Sequence, residues 1–249
     1  MPEGERAYVV GDIHGRLDLF AALADAIEHD DAETPPTGET TVVLLGDLID
    51  RGPHSAQVVA LARDWQARRR VRILAGNHEE MFLQSFDDSS VLRQFLRHGG
   101  RETILSYGLD EATYNHASLE ELQDLMHGVV PDEDRAFLAS FEEYVEMGDY
   151  LFVHAGIEPQ IPLEEQQRHD MIWIRERFLR YRHPHSHVVV HGHTIFDEVD
   201  EQHNRIGIDT GAFKTGRLTA LVLEGTERRL IQAVEEHGTI SIHKRDAFQ

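Results

Sequence analysis

The 249-residue sequence contains no cysteine. A disulfide-stapled scaffold, a thiolate zinc site and a cysteine nucleophile are therefore excluded. Positive charge is scarce as well: 24 Lys and Arg stand against 45 Asp and Glu, a formal net charge of −21. Such a chain has no field for holding a polyanion, so no nucleic-acid partner is expected. The one basic run, Arg68-Arg69-Arg70 with Arg72, reads as a helix end, where cations complement the macrodipole. No apolar run approaches membrane length, and Met1 to Glu5 lacks a basic segment leading into an apolar core. A cytoplasmic protein with no membrane partner is the expectation. No Pro-rich, Gly/Ser-rich or repetitive segment divides the chain; Thr34-Pro35-Pro36-Thr37-Gly38 is only long enough for a surface loop. With 41% hydrophobic residues, one domain over residues 1–249 is expected.

What the chain does have is five short blocks, each ending an apolar run with a metal-type ligand. They are GDIHG (Gly11 to Gly15), GDLIDRG (Gly46 to Gly52), GNHE (Gly76 to Glu79), HAG (His154 to Gly156) and HGHT (His191 to Thr194). The preceding runs, such as Tyr8-Val9-Val10 and Val42-Val43-Leu44-Leu45, are short and mostly β-branched, and read as buried strands. A lone Asp after a strand is usually a turn or a cap. Five such blocks describe a site at the carboxyl ends of several strands, where open α/β sheets bind ligands.

Residues 6–75 read as strand, helix, strand, helix, strand, which implies a largely parallel sheet. Residues 79–146 read as almost wholly helical, ending on a stripe of Phe137, Leu138, Phe141 and Val145. This insert has no ligand-type block and is expected to shape one wall of the site. From Tyr150 strands return, with one helix around residues 169–180. Arg205 to Asp209, Leu218 to Leu223 and Arg229 to Val234 suggest a second sheet packed on the first, and residues 243–249 a frayed tail.

Asp12 and His14 sit two apart, so one loop can aim both at one cation, and Asp47 is placed to bridge to a second. Asn77, His154 and His193 would complete the second ion. A mixed oxygen and nitrogen set favours Mn, Fe or Zn over Ca or Mg. Two such ions activate water and stabilise in-line displacement at phosphorus. Arg51 can hold phosphate oxygens through its planar fork, His78 can protonate the leaving oxygen, and Asp50 can orient His78 and raise its pKa.

The ordered blocks resemble the PPP family of metal-dependent phosphoprotein phosphatases, most of all its short bacterial and phage branch, within the wider calcineurin-like metallophosphoesterases. The resemblance spans roughly residues 7–225, and GDLIDRG is its most specific part. It implies an αββα sandwich of two packed mixed sheets flanked by helices, with the helical insert at about 79–146. It also implies one metal on Asp12, His14 and Asp47 and another on Asp47, Asn77, His154 and His193. Arg51 falls on a phosphate-binding arginine, His78 on the general acid and Asp50 on its partner. A second phosphate-binding arginine maps to Arg175, with Arg177 the alternative. Gly192-His193-Thr194-Ile195 lacks the second His of the superfamily's usual G-H-x-H, which suits the PPP branch. His154-Ala155-Gly156 departs from the HGG of eukaryotic members. The implied activity is hydrolysis of phosphomonoesters, on phosphoserine or phosphothreonine of proteins and with phosphotyrosine a further substrate, using two divalent ions of which Mn is the expected one. The competing reading is a symmetrical dinucleoside tetraphosphate hydrolase. His154-Ala155-Gly156-Ile157-Glu158-Pro159 resembles those enzymes, whereas they usually carry Gln where this chain has His14. A catalytically dead scaffold would have lost Arg51, His78 or a ligand, and none is lost.

Most of the 17 His need no function. His183, His185 and His187 read as a solvated loop, while structural and site-facing readings of His191 stand about even. Asp209 reads as a backbone cap, and Phe213 as a core aromatic, with an overhang of the site as the alternative. His98-Gly99-Gly100 reads as a helix C-terminus, with His at the negative end and Gly as the cap.

Overall fold

In the computed structural model, which describes residues 1–246, strands and helices first alternate. They are β1 (Arg6–Val10), α1 (Leu17–Glu33), β2 (Thr40–Leu44), α2 (Ser55–Arg68) and β3 (Val71–Ile73). The insert follows as α3 (Asn77–Gln84), α4 (Ser89–Phe95), a kink at Leu96–Gly100, α5 (Arg101–Ser106), α6 (Glu111–His116), α7 (Leu119–Val129) and α8 (Asp132–Ala139). Then come β4 (Tyr144–Met147), β5 (Tyr150–Val153), α9 (Arg168–Trp173), α10 (Glu176–Leu179), β6 (Val188–His191), β7 (Asp200–Glu201) and β8 (Arg205–Gly207). The chain closes with α11 (Ala212–Thr215), β9 (Arg217–Glu224), β10 (Glu227–Glu236) and β11 (Thr239–Asp246).

The strands form a six-stranded sheet, ordered β11-β10-β9-β1-β2-β3, and a five-stranded sheet, ordered β4-β5-β6-β8-β7. Side chains alternate across each strand and so sort the core into layers. Val9, Val43 and Leu221 of the first sheet meet Phe152, Val190 and Ile206 of the second. On the other face of β1 and β2, Tyr8, Val10, Val42 and Leu44 pack on Leu19, Phe20 and Leu23 of α1, Val58 of α2 and insert residues such as Phe82 and Phe95. Leu151, Val153 and Val189 turn outward to Met171, Ile174 and Phe178. This is the helix–sheet–sheet–helix sandwich that the resemblance implies. Among the described residues no helix is long and apolar enough to cross a membrane.

Four expectations need correction. The C-terminal strands do not build the second sheet: β9 pairs antiparallel with β1, and β10 and β11 extend that first sheet. Only Arg205–Gly207 joins the second sheet. Residues 243–246 are not frayed but complete β11, ordered by pairing with β10 across a tight turn at His237 and Gly238, both left-handed; residues 247–249 lie outside the described residues. Val145 lies on β4 rather than on the last insert helix, because β4 pairs with β5 and buries Val145 between the sheets. The single helix expected around 169–180 breaks at Ile174 and Arg175, whose extended and irregular backbone separates α9 from α10.

The topology sets the site. β1, β2 and β3 run parallel in one sheet, and β5, β6 and β8 run parallel in the other. The loops after their carboxyl ends carry Asp12, Asp47, Asn77, His154, His193 and Asp209.

Candidate metal centre

Asp47 lies at the middle. Its Oδ2 faces three imidazole Nε2 atoms, at 3.4 Å from His154, 3.6 Å from His14 and 3.9 Å from His78. Two buried groups with metal-ligand geometry share this carboxylate, His14–Asp47–His78 and Asp47–His154–His193. Asn77 joins the second, its Oδ1 lying 2.9 Å from His193 Nδ1 and 3.2 Å from His154 Nε2. Asp12 is buried on the same floor, yet its two oxygens accept the His193 backbone N–H and it belongs to neither compact group. Where the sequence placed Asp12 beside His14, the structure brings His78 closest.

The donors are oriented from behind. His14 Nδ1 lies 2.8 Å from the Ile49 carbonyl oxygen and His154 Nδ1 2.7 Å from that of Leu45. With Nδ1–H donated there, Nε2 is the atom each ring turns toward the centre. His193 Nε2 is buried and has no hydrogen-bond partner among the described residues. Gly76 and Gly192 are required because a Cβ on either would fall 2.1 Å from a carboxylate oxygen, of Asp47 and Asp12 respectively. His14, Asp47, Asp50, Arg51 and His193 all have left-handed backbones. Such conformations cost roughly 1–3 kcal/mol each and persist where surrounding structure over-determines them.

Electrostatics show what the centre demands. Burial opposes charge on Asp47, but His154, His78 and His14 outweigh it and hold the carboxyl well below its ordinary value. Burial likewise opposes charge on His154, but Asp47 outweighs it and pushes the imidazole up to about 10. His193 is pushed down to about 2 by burial and then by His154, and His14 is lowered by burial and then by His78. Asp12 is raised by burial and then by Asp209. A buried carboxylate faced by three imidazoles and an amide oxygen fits a pair of divalent cations, which would take over the countercharge that protonated His154 supplies here.

Beside the centre, His78 Nδ1 donates to Asp50 Oδ2 at 2.6 Å. Asp50 Oδ1 accepts from Thr103 Oγ1 of α5 at 2.6 Å. Arg51 Nη1 and Nη2 lie 2.9 Å from His14 Nε2 and 3.1 Å from His78 Nε2. Arg175 is exposed at the break between α9 and α10, close enough that its charge helps depress His193. Arg177 turns away to ion pairs with Glu158 and Asp170.

Four contributors were missed or misread. Glu79 is buried, and its carboxylate accepts the N–H groups of Asp47, Leu48 and Gly76, so it fixes the Asp47 loop. The signal was present, since Glu at the third position of a helix start is a capping-box residue. The insert is more than a wall: Thr103 reaches Asp50, and the His98 ring stands 6.3 Å from that of His78. His98-Gly99-Gly100 is the helix end the sequence suggested: Gly99 is left-handed and breaks the helix after His98, and α5 starts directly beyond it. Phe213 is half-buried and rests on Arg51 and His14, outside the core. Asp209 does cap, accepting from Gly211 N at 2.8 Å; burial, then the charge of Asp47, pushes it up to about 6. His191 is fully buried between Phe178, Phe196 and Arg205, away from both groups.

A two-sheet sandwich with Asp, Asn and His donors converging on a shared carboxylate defines a metal-dependent hydrolase of phosphoric esters. The chain belongs to the calcineurin-like phosphoesterase family, whose model matches residues 5–212. A bis(5'-nucleosyl)-tetraphosphatase PrpE (asymmetrical) from Bacillus cereus is 27% identical over 86% of this chain and 88% of its own. Among solved structures, a candidate diadenosine tetraphosphatase superposes with TM-score 0.61 at 20% identity, over 97% of this chain and 94% of that one. A cold-active protein-tyrosine phosphatase from a psychrophilic Shewanella superposes with TM-score 0.58 at 19% identity, over 97% and 82%. The two structures speak for the fold alone.

Proposed function

We propose that the protein hydrolyses phosphomonoesters, with phosphoserine and phosphothreonine of proteins as the primary substrates. The observation that carries this reading is the His78–Asp50 pair, 2.6 Å apart beside the centre. An alkoxide from Ser or Thr is a poor leaving group and needs a proton as its bond to phosphorus breaks. A phosphate leaving group from an anhydride needs far less, so a buried carboxylate-held imidazole is chemistry suited to alkyl esters.

Asp12, His14 and Asp47 would hold one cation, and Asp47, Asn77, His154 and His193 the other, with Mn the best activator. When bound, the pair supplies an activated water and offsets charge at phosphorus. The chain does the rest. Arg51 and Arg175 grip the phosphoryl oxygens, His78 gives a proton from Nε2 to the leaving oxygen, and Asp50 keeps His78 charged and oriented. Arg175→Ala should lower kcat/KM by about 10-fold or more, as loss of a charge-assisted contact of ~1.5–3 kcal/mol implies. Arg177→Ala should leave it unchanged, because Arg177 is already engaged with Glu158 and Asp170. Steady-state kinetics with metal content measured alongside checks both; the reverse pattern would transfer the role to Arg177.

A second reading has its own support. The Bacillus relative matches most of the chain in sequence and is named for dinucleoside tetraphosphates. Its name specifies asymmetrical cleavage, so this reading shifts from symmetrical to asymmetrical products. Turnover of phosphopeptides and of diadenosine tetraphosphate should be compared on the Mn-loaded protein. Higher kcat/KM on phosphopeptides is expected. Preference for the dinucleotide, releasing a nucleoside triphosphate and a monophosphate, would replace the first reading with the second.

A further inference from the structure

We infer that Phe213 is a positioning residue for Arg51, its ring face fixing the plane of the guanidinium that grips the phosphoryl group. The inference rests on the reading of Arg51 given above and adds a residue to it.

Arg51 Cζ lies 4.5 Å from the centroid of the Phe213 ring, and the same ring meets His14 edge-on at 5.4 Å. The guanidinium therefore has its Nη atoms toward His14 and His78 and one side covered by Phe213. The stem is held as well. Arg51 N donates to the Gly99 carbonyl at 3.1 Å, and a Cβ on Gly99 would lie 2.8 Å from Arg51 Cγ. Among the described residues no carboxylate forms an ion pair with Arg51. That distinction matters chemically. A carboxylate partner would orient the fork but would also compete with phosphate for its charge. A ring face attracts the cation through its quadrupole and takes up none of its N–H groups, so those not shared with His14 and His78 stay available to an anion.

The turn that presents Phe213 is built for the purpose. α11 is a single turn bracketed by Gly211 and Gly216, both at φ +70°. Gly211 N donates to Asp209 Oδ1, Thr215 Oγ1 to the Thr210 carbonyl, and Arg16 Nη1 to the Ala212 carbonyl at 3.0 Å. Ala212 is buried and anchors the turn, whereas Phe213 remains half-exposed. Its ring belongs to the site.

The test uses the metal-loaded protein, inorganic phosphate as the probe in calorimetric titration, and kcat/KM on p-nitrophenyl phosphate. Phe213→Leu should weaken both about 3- to 30-fold, the range a desolvated cation–π contact implies. Metal content and Tm should stay at wild-type values, and Phe213→Tyr should restore both parameters. In an Arg51→Ala background, Phe213→Leu should add nothing. A silent Phe213→Leu, a loss undiminished in the Arg51→Ala background, or a loss that tracks metal content would each overturn the inference. If Arg51→Ala alone leaves phosphate binding intact, the reading of Arg51 fails and the inference falls with it. That result is distinct from the other three.

Discussion

Asp47→Asn is expected to be the most damaging single change in the chain. The bound metal should drop from about two ions per chain toward none at chelator-buffered concentrations, and kcat should fall by about 10³-fold or more, because metal stabilisation of the transition state is worth several kcal/mol. The substitution is nearly isosteric, so packing alone predicts almost no effect. Charge predicts a large one. Asp47 Oδ2 is the one oxygen faced by His14, His78 and His154, and the carboxylate is the counter-ion that lifts His154 to about 10. A neutral amide leaves three imidazoles converging on a group that cannot offset two cations. Elemental analysis after dialysis, paired with kinetics at saturating Mn, separates weakened binding from impaired chemistry. Full metal content with wild-type kcat would remove Asp47 from the bridging position.

The centre of this site was legible because short β-branched runs ending in Gly and a ligand locate strand ends without any knowledge of pairing. Each of Asp12, His14, Asp47, Asn77, His154 and His193 follows such a run, and the structure places all six on one buried floor. Periodicity reports only a segment's own exposure pattern. It could not say that β9 would pair with β1 at the opposite end of the chain, so the sheet membership of the C-terminal strands was misjudged. The break at Ile174 and Arg175 escaped for a related reason. No Pro or Gly marks it, and it comes from Met171, Ile174 and Phe178 all packing against the outer face of the second sheet. Phe213 and His98 were illegible because their targets, Arg51 and His78, are distant in sequence, and an aromatic after Gly-Ala looks the same in core or site. Glu79 was the one miss with a local signature.

His78→Ala should lower kcat on alkyl phosphates such as phosphoserine peptides by about 10²–10⁴-fold, the usual contribution of a general acid. On p-nitrophenyl phosphate the loss should be far smaller, since that leaving group needs little protonation. The same pairing sets a pH signature. Burial lowers the affinity of His78 for its proton, but Asp47 and Asp50 outweigh it and raise the imidazole above its ordinary 6.5. An acid must be protonated to act, so a raised value carries activity on alkyl esters to higher pH before the alkaline limb begins. Bound cations would offset the share due to Asp47 and leave that of Asp50, which is in direct contact at 2.6 Å. Asp50→Asn should therefore shift the alkaline limb to lower pH for alkyl phosphates and leave the p-nitrophenyl phosphate profile in place. Equal losses on both substrates in His78→Ala, accompanied by lost metal, would reassign His78 to the centre itself. Its place with His14 and Asp47 in one buried group makes that the alternative to test against.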